Sequence, residues 1–302
     1  MKPIKKSKIS IVGLGALGSV VSKLLTKIGI GNLNLIDRDI IELNNMQRQI
    51  LYNKKDVNKL KAIVAKEKLE KINSKIKIQS YAIDLNYKNI DKLLKNSDLI
   101  LDCTDNLETR FLINDYCLKN KIPFIYAGVL ADKGMLFNII PNKPCFNCIF
   151  NNVITKETCD TAGVLNSIVN LIGNLQVSQA IKILTNKKYE ENLVYINITK
   201  NEFMKIKVNK LNKCNVCNGN YDYLDGKKTE FIKLCGSNSF QFYNKNNLNL
   251  NELNKNLNKI EKTIFNKDFI IFKNLVIFKD RTLIKTNTEE KAKSIYSRFI
   301  GN

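Results

Sequence analysis

The residues that could carry chemistry lie mostly at the ends of predicted strands in the first half of the chain. A glycine-rich run from Gly13 to Gly18 follows an apolar segment and opens a helical pattern. Glycines there let the backbone turn tightly and approach a phosphate at a helix N-terminus. Asp37 ends the next predicted strand, where a carboxylate can accept hydrogen bonds from a ribose. Taken alone, these residues predict a nucleotide site, with NAD as the default ligand.

A polar cluster just beyond Asp37 changes the expected ligand. Asp39 follows it closely, and a stretch rich in Asn, Gln and Arg then includes Asn45 and Arg48. A dehydrogenase has no need of such a cluster, whereas a nucleoside triphosphate does, because a guanidinium matches phosphate oxygens. Lys61 adds a mobile positive charge at the start of the next predicted helix. We therefore expect a nucleoside triphosphate rather than NAD.

Asp105 follows another predicted strand, Leu99–Cys103. Ligands of α/β proteins bind at the carboxyl ends of parallel strands. A carboxylate at this position would suit Mg²⁺ that bridges phosphates. Any one of these charged residues could be a solvated surface charge. Their occurrence at successive strand ends favours a common site.

The eight cysteines include two CxxC pairs, Cys145/Cys148 and Cys214/Cys217, and the chain has no histidine. Four cysteines in two pairs are typical of a closed, tetrahedral Zn²⁺ site, and incidental thiols are the alternative. Such a site leaves no open position for catalysis. The lack of histidine excludes Ser-His-Asp and Cys-His catalysis. Cys159 stands apart as a single thiol, and its interpretations are a reactive thiol or a small buried side chain.

The elements that must position these residues alternate between short apolar runs and helical patterns. This alternation predicts an α/β fold, with a Rossmann-like, mainly parallel sheet and helices on both faces, over residues 1–222. We expect a long helix over Val164–Leu184, broken or loosened around Gly173. Residues 230–302 predict a small C-terminal α+β domain that closes with a helix near Glu289–Phe299. Its Asn/Lys-rich middle, Asn244 to Lys262, is either a polar helix or partly mobile.

The 302-residue chain carries a formal charge of +21. Its lysines are scattered and accompanied by abundant Asn and Ile, a pattern typical of the codon usage of an AT-rich genome. We therefore do not expect nucleic acid as a partner. The sequence shows no apolar run long enough to span a membrane and no signal-peptide pattern. We expect a cytoplasmic protein without a membrane partner.

Several motifs in one order resemble a known family. The run GLGALG, the segment DRD…NNMQRQ, Lys61 and the motif CTDNLETR resemble the adenylation domain shared by ThiF, MoeB and the ubiquitin-activating enzymes. The resemblance extends through the CxxC pairs and the motif TCDTAGVL to about residue 220. It is closest to bacterial ThiF-type adenylyltransferases of thiazole biosynthesis.

The resemblance implies a role for each matching residue. In the family, the four CxxC cysteines hold a structural Zn²⁺. Residues expected to bind ATP or its Mg²⁺ are Gly13, Gly15, Gly18, Asp37, Asp39, Asn45, Arg48, Lys61 and Asp105. Residues expected to act in catalysis are Asp105, Arg48, Lys61 and Cys159, the last as the thiol that links to the activated carrier during sulfur transfer.

The implied activity is ATP-dependent adenylation of the C-terminal glycine of a ubiquitin-like sulfur-carrier protein that ends in Gly-Gly. We expect a homodimer, with a cysteine desulfurase or another sulfur donor as a further partner. The carrier is ThiS-like, for thiamine thiazole synthesis, or MoaD-like, for molybdopterin synthesis. The alternatives left open are adenylation of a peptide or tRNA-linked carboxylate, an NAD-dependent oxidoreductase and a non-catalytic zinc-bearing binding module.

Overall fold

The structure is a computed structural model that describes residues 4–150, 163–227, 232–234, 239–244 and 246–301. The chain divides into two compact units, Met1–Lys228 and Thr229–Asn302. The strands of the first unit are β1 (Lys8–Val12), β2 (Asn32–Ile36), β3 (Lys77–Tyr81), β4 (Leu99–Asp102), β5 (Phe124–Leu130), β6 (Lys133–Ile139), β7 (Leu193–Asn197) and β8 (Glu202–Ile206). Its described helices are α1 (Ala16–Ile28), α2 (Lys61–Ile72), α3 (Ile90–Leu94), α4 (Leu107–Asn120), α5 (Phe146–Phe150) and α6 (Asn166–Leu184).

These eight strands form one sheet in the order β3-β2-β1-β4-β5-β6-β7-β8. The strands from β3 to β5 in this order are parallel, and β6, β7 and β8 are added antiparallel. The central strand β1 lies between β2 and β4, with Ile11 opposite Leu35 and Leu101. The fold is therefore α/β with a mainly parallel core. The loops after β1, β2 and β4 all leave the same edge of the sheet.

Helices cover both faces of this sheet, because successive side chains of a strand point to opposite faces. Leu99 and Leu101 of β4 pack in one apolar cluster with residues of α1, α2 and α6. Ile100, between them, packs in a second cluster with residues of α3, α4 and α5. Burial on both faces explains why β4 is apolar up to its last residue, Asp102. The buried polar side chains of β1 and β2 are hydrogen-bonded instead: Ser10 lies 2.7 Å from the hydroxyl of Ser97, and Asn34 donates to the carbonyl oxygen of Leu93 at 3.2 Å.

Helix α6 is continuous from Asn166 to Leu184, so the predicted break at Gly173 is wrong. Gly173 is where α6 packs against α1: a Cβ atom there would lie 2.8 Å from Cγ1 of Val20. The glycine allows two helices to approach closely, and it does not interrupt the helix. Neither α6 nor any other helix in the described residues is long and apolar enough to cross a membrane.

The elements of the second unit are β9 (Ile232–Leu234), β10 (Ser239–Tyr243), α7 (Leu250–Asn258), β11 (Ile264–Phe265), β12 (Phe269–Phe272), β13 (Leu275–Phe278), β14 (Arg281–Lys285) and α8 (Glu289–Phe299). Its strands form an antiparallel six-stranded sheet in the order β11-β12-β13-β14-β10-β9. The predicted polar middle therefore contains a helix, α7. Its buried Leu250 and Leu257 pack in one cluster with Phe272 and Ile284 of the sheet.

Candidate active site and metal centre

The glycine loop between β1 and α1 contains glycines of two kinds. Gly13 has φ +89°, and a Cβ atom there would lie 2.5 Å from the carbonyl oxygen of Cys103. A Cβ atom on Gly18 would lie 2.0 Å from the carbonyl oxygen of Gly13. At Gly15, by contrast, the nearest described atom to a Cβ outside the adjoining chain would be Nε2 of Gln49, at 3.9 Å. Packing thus requires Gly13 and Gly18, whereas Gly15 leaves open space just before α1.

Asp37, directly after β2, is hydrogen-bonded to this loop. Its carboxylate accepts a 2.6 Å hydrogen bond from the N–H of Leu14 and a 2.7 Å hydrogen bond from the N–H of Asp39. Burial raises the pKa of Asp37, while the nearby charge of Lys61 and these two N–H groups lower it. The side chain expected to hold a ribose therefore also shapes the loop in the structure.

Lys61, the first residue of α2, contacts Asp39 twice. Its Nζ lies 3.1 Å from Oδ2 of Asp39, and its backbone N–H donates to the carbonyl oxygen of Asp39 at 3.0 Å. Burial opposes the charged form of Lys61, but Asp39 and Asp37 together raise its pKa above the ordinary value. Lys61 is consequently a buried, protonated amine beside the glycine loop.

Arg38 lies between these two aspartates in sequence, and its side chain pairs elsewhere. Its Nη1 lies 2.6 Å from Oδ1 of Asp84, in the segment after β3, and its Nε lies 3.8 Å from Oδ1 of Asp39. Burial opposes the charge of Arg38, but Asp84 and Asp39 raise its pKa. Two cations, Arg38 and Lys61, therefore flank the carboxylate of Asp39.

Asn45 and Arg48 lie together on the segment between β2 and α2. Nη2 of Arg48 donates a 2.5 Å hydrogen bond to Oδ1 of Asn45, and Nδ2 of Asn45 donates to Glu42 at 3.2 Å. Next along the chain is Gln49, which is buried and whose Oε1 has no hydrogen-bond partner among the described residues. Buried acceptors are normally hydrogen-bonded, and this oxygen belongs to a side chain beside the open position at Gly15. The observation favours a ligand bound there.

Asp105 is exposed on the loop between β4 and α4. Its negative charge helps to raise the pKa of both Arg38 and Lys61, so it lies within electrostatic range of that pair. The nearby Asp102 is buried at the end of β4 and accepts two hydrogen bonds from Thr104, at 2.9 and 2.6 Å.

Arg110, on the first turns of α4, supports this loop. Its Nε lies 3.4 Å from Oδ2 of Asp102, and its Nη2 donates to the carbonyl oxygen of Thr104. Its guanidinium also lies 5.1 Å from the centroid of the Tyr126 ring. These contacts hold the backbone that leads to Asp105. The ends of β1, β2 and β4 thus bring the glycine loop, Asp37, Asp39, Lys61 and Asp105 to one region.

The four CxxC cysteines form one cluster, with their Sγ atoms all within 4.8 Å of one another. Individual Sγ–Sγ distances are 3.8 Å for Cys145–Cys148, 3.6 Å for Cys145–Cys214 and 3.6 Å for Cys148–Cys217. Four sulfurs bound tetrahedrally at about 2.3 Å are about 3.8 Å apart. The cluster therefore has the size that a tetrahedral metal ion requires.

Helix α4 connects this cluster to the rest of the unit. Oδ1 of Asn114 accepts a 3.0 Å hydrogen bond from the N–H of Phe146, next to the first cysteine. Oδ2 of Asp115 accepts hydrogen bonds from the N–H groups of Tyr223 (2.9 Å) and Leu224 (3.3 Å), beyond the last cysteine. The cluster thus lies between two segments that are both held by α4.

The single cysteines differ in what the structure describes. Cys103 and Cys117 are buried, and burial raises the pKa of both thiols well above the ordinary value. Both side chains pack in apolar clusters. Cys159 lies outside the described residues.

Sequence patterns missed two polar contacts that support this site. Asp84 belongs to no motif, and its pairing with Arg38 joins residues distant in sequence. Gln176 is buried on α6, and its Nε2 donates to the carbonyl oxygens of Asp102 and Ile125, both at 3.0 Å. The only signal in the sequence was a polar residue within an apolar helical pattern, which does not identify its partners.

Comparison with known proteins gives consistent matches. Residues 1–217 match the ThiF family. The "Sulfur carrier protein ThiS adenylyltransferase" of Bacillus subtilis is 32% identical, over 99% of this chain and 94% of that protein. The "Molybdopterin-synthase adenylyltransferase" of Escherichia coli is 33% identical, over 71% of this chain and 88% of that protein. The crystal structure of E. coli MccB with ATP superposes with a TM-score of 0.62 and 25% identity, over 71% of this chain and 67% of that one.

The two kinds of glycine predict different effects of one added methyl group. We expect Gly18→Ala to lower the free energy of unfolding by about 1–3 kcal/mol or more, because its Cβ atom would overlap the carbonyl of Gly13. We expect Gly15→Ala to leave stability within about 0.5 kcal/mol of the wild type. Urea unfolding of both variants checks this expectation. Equal losses of stability would show that the whole loop is constrained by packing alone.

Proposed function

Because this chain belongs to the ThiF family and is an enzyme of that family, we propose that it uses ATP to adenylate the C-terminal glycine of a ubiquitin-like sulfur carrier. The observation that carries the proposal is the meeting of an open glycine loop with two buried cations. Gly15 leaves space before α1, and Lys61 and Arg38 lie at the same edge of the sheet. The similarity to a ThiS adenylyltransferase over 99% of the chain supports a ThiS-like carrier and thiamine thiazole synthesis.

The reaction proposed is attack of the carrier's terminal carboxylate on the α-phosphorus of ATP. A bond forms between a carboxylate oxygen and the α-phosphorus, and the bond to the bridging oxygen breaks, so pyrophosphate leaves with its electron pair. The carboxylate is already ionised at neutral pH, so no general base is needed. The enzyme's contribution is to position the reactants and to neutralise developing phosphate charge.

The roles proposed for the site residues follow from their placement. The glycine loop before α1 and the carboxylates of Asp37 and Asp39 would hold the nucleoside part. Asn45, Arg48 and Lys61 would contact the phosphates, since a guanidinium and an ammonium both match phosphate oxygens. Arg48 and Lys61 are thus the charge-neutralising residues that we propose for catalysis.

Asp105 is the residue that we propose to hold Mg²⁺. Its carboxylate is exposed and lies near the cations Arg38 and Lys61, so a divalent ion and phosphates could reach it together. Oxygen ligands and substrate phosphates are the usual partners of Mg²⁺. When bound, the ion would neutralise charge on the phosphates.

The four-cysteine cluster is proposed to hold a structural Zn²⁺. Four thiolates at tetrahedral spacing suit Zn²⁺ and leave no position open for substrate. The separations of 3.6 to 3.8 Å support that geometry. Its role would be to join the two cysteine-bearing segments that α4 also holds.

The domain roles and partners belong to the same proposal. We propose that residues 1–222 form the ATP-binding adenylation domain with the zinc site, and that residues 230–302 form a small C-terminal α+β domain. A homodimer and a sulfur donor such as a cysteine desulfurase would complete the system. Cys159 would be the thiol that links to the activated carrier.

A second candidate is a MoaD-like carrier, favoured by the 33% identity to a molybdopterin-synthase adenylyltransferase. Both candidates use the same ATP residues, so trials with each carrier separate them.

Two variants separate the two proposed steps. We expect Asp105→Ala to fold normally and to lower carrier-dependent ATP–pyrophosphate exchange by about 100-fold or more, because Mg²⁺ and the phosphates lose a ligand. We expect Cys159→Ser to keep that exchange and to lose sulfur transfer to the carrier. Exchange is measured with purified protein and Gly-Gly carriers, and thermal unfolding is the control for folding. Exchange that persists in Asp105→Ala would refute the role of this residue, and sulfur transfer by Cys159→Ser would refute the role of the thiol.

Loss of the metal should affect stability before chemistry. We expect Cys214→Ser, or chelation of the purified protein, to lower the melting temperature by several degrees, because the two cysteine-bearing segments lose their common anchor. The stoichiometry of bound zinc is measured alongside by elemental analysis, with Cys117→Ser as a control outside the cluster. Protein that contains no zinc, or whose melting temperature is unchanged by chelation, would contradict the structural role.

A further inference from the structure

An alternating chain of charges crosses the site from the segment after β3 to the start of α2. Asp84 contacts Arg38 at 2.6 Å, Arg38 lies 3.8 Å from Asp39, and Asp39 contacts Lys61 at 3.1 Å. The two oxygens of Asp39 face different cations: Oδ1 faces Arg38 and Oδ2 faces Lys61. Asp84, which belongs to no motif, is thus linked through Arg38 to both Asp39 and Lys61.

The pair of Arg38 and Asp84 is buried, with side-chain exposures of 11% and 2%. Removing two charges from water costs free energy that a single ion pair often does not recover. Such a pair is weak evidence for stability, so a positional role is the better explanation. The segment that carries Asp84 is itself held, because Nδ2 of Asn89 donates a 2.7 Å hydrogen bond to the carbonyl oxygen of Asp84.

The charges at the site indicate how Arg38 affects Asp39 when ATP binds. Lys61 is bound to Asp39 in the structure, and it must turn at least partly toward the phosphates if it is to contact ATP. Asp39 would then lose its nearest cation while only about a third of its side chain is exposed, 37%. Arg38 cannot move in the same way, because Asp84 holds its guanidinium. It remains beside Asp39 as a fixed counter-ion.

We propose that Arg38, held by Asp84, is a positioning residue: it fixes Asp39 and supplies its counter-charge, so that Lys61 is released to the phosphates of ATP. This inference rests on the proposed function and deepens it by giving a role to Arg38, to which no ATP contact is assigned, and to Asp84, which lies outside the motifs. Arg38 acts through Asp39 and Lys61 and does not itself need to touch ATP. Its effect should appear in ATP affinity before it appears in the chemical step.

The test is a double-mutant cycle with Arg38→Met, Asp84→Ala and the double variant. For each, calorimetry measures the Kd of ATP, exchange assays measure KM and kcat, and thermal unfolding measures stability. Arg38→Lys keeps the charge without the rigid fork. The matched control is Arg281→Met, which removes another buried arginine with an aspartate partner, Asp280 at 2.9 Å, in the second unit.

We expect Arg38→Met to raise the Kd and the KM of ATP by about tenfold or more, with a smaller change in kcat. Arg38→Lys should fold and give an intermediate Kd. Asp84→Ala should lose stability, because it leaves a buried guanidinium without its partner. The double variant should recover most of that stability while its Kd stays raised. The control should leave the Kd unchanged.

A purely structural pair gives a different pattern. If the double variant recovers both stability and the wild-type Kd of ATP, the pair only supports folding and the proposal is overturned. The proposal is also overturned if the Kd of ATP for both Arg38→Lys and Arg38→Met stays within about twofold of the wild-type value. These outcomes differ from a failure of the proposed function, in which the wild-type protein itself shows no carrier-dependent exchange although ATP binding still responds to Arg38.

Discussion

The candidate site depends on one buried carboxylate. Asp37 accepts hydrogen bonds from the N–H groups of Leu14 and Asp39, so it joins the loop after β1 to the loop after β2. Burial raises the pKa of Asp37, and the buried ammonium of Lys61 offsets that effect only in part. Lys61 is in turn held by Asp39. The glycine loop, the strand end and the start of α2 are therefore one electrostatic unit.

The same coupling explains why the charged residues cluster so densely. A carboxylate that shapes the loop needs a buried cation near it, and that cation needs further carboxylates. Asp39, Arg38 and Asp84 extend the alternation to the segment after β3. Once Lys61 has turned toward a bound nucleotide, Arg38 and Asp84 keep the remaining charges in place, so little further reorganisation would be needed when phosphate charge develops.

Local patterns in the sequence were sufficient for much of the fold. The alternation of apolar runs and helical patterns predicted the α/β class, and the C-terminal helix Glu289–Phe299 was predicted with the bounds observed. Its start is marked by Thr288, whose hydroxyl caps the N–H of Lys291. The cysteine spacing predicted that four thiols would meet, which the cluster confirms at the level of a possible metal site.

Features that depend on distant contacts could not be predicted in the same way. Gly173 suggested a helix break because glycine weakens an isolated helix, whereas its reason is the approach of Val20 from α1. Asp84 carries no local signal, and its importance follows only from the contact with Arg38. The antiparallel order of the second sheet, with β14 between β13 and β10, likewise depends on pairings between distant segments.

The central claim is that this edge of the sheet activates a carrier's carboxylate with ATP. The most direct measurement is the intact mass of a Gly-Gly carrier after incubation with the protein, ATP and Mg²⁺, before any sulfur source is added. The account predicts a carrier heavier by one AMP, with pyrophosphate released in equal amount. A carrier heavier by one phosphate, with ADP as the product, or an unmodified carrier while ATP is cleaved to ADP, would contradict it.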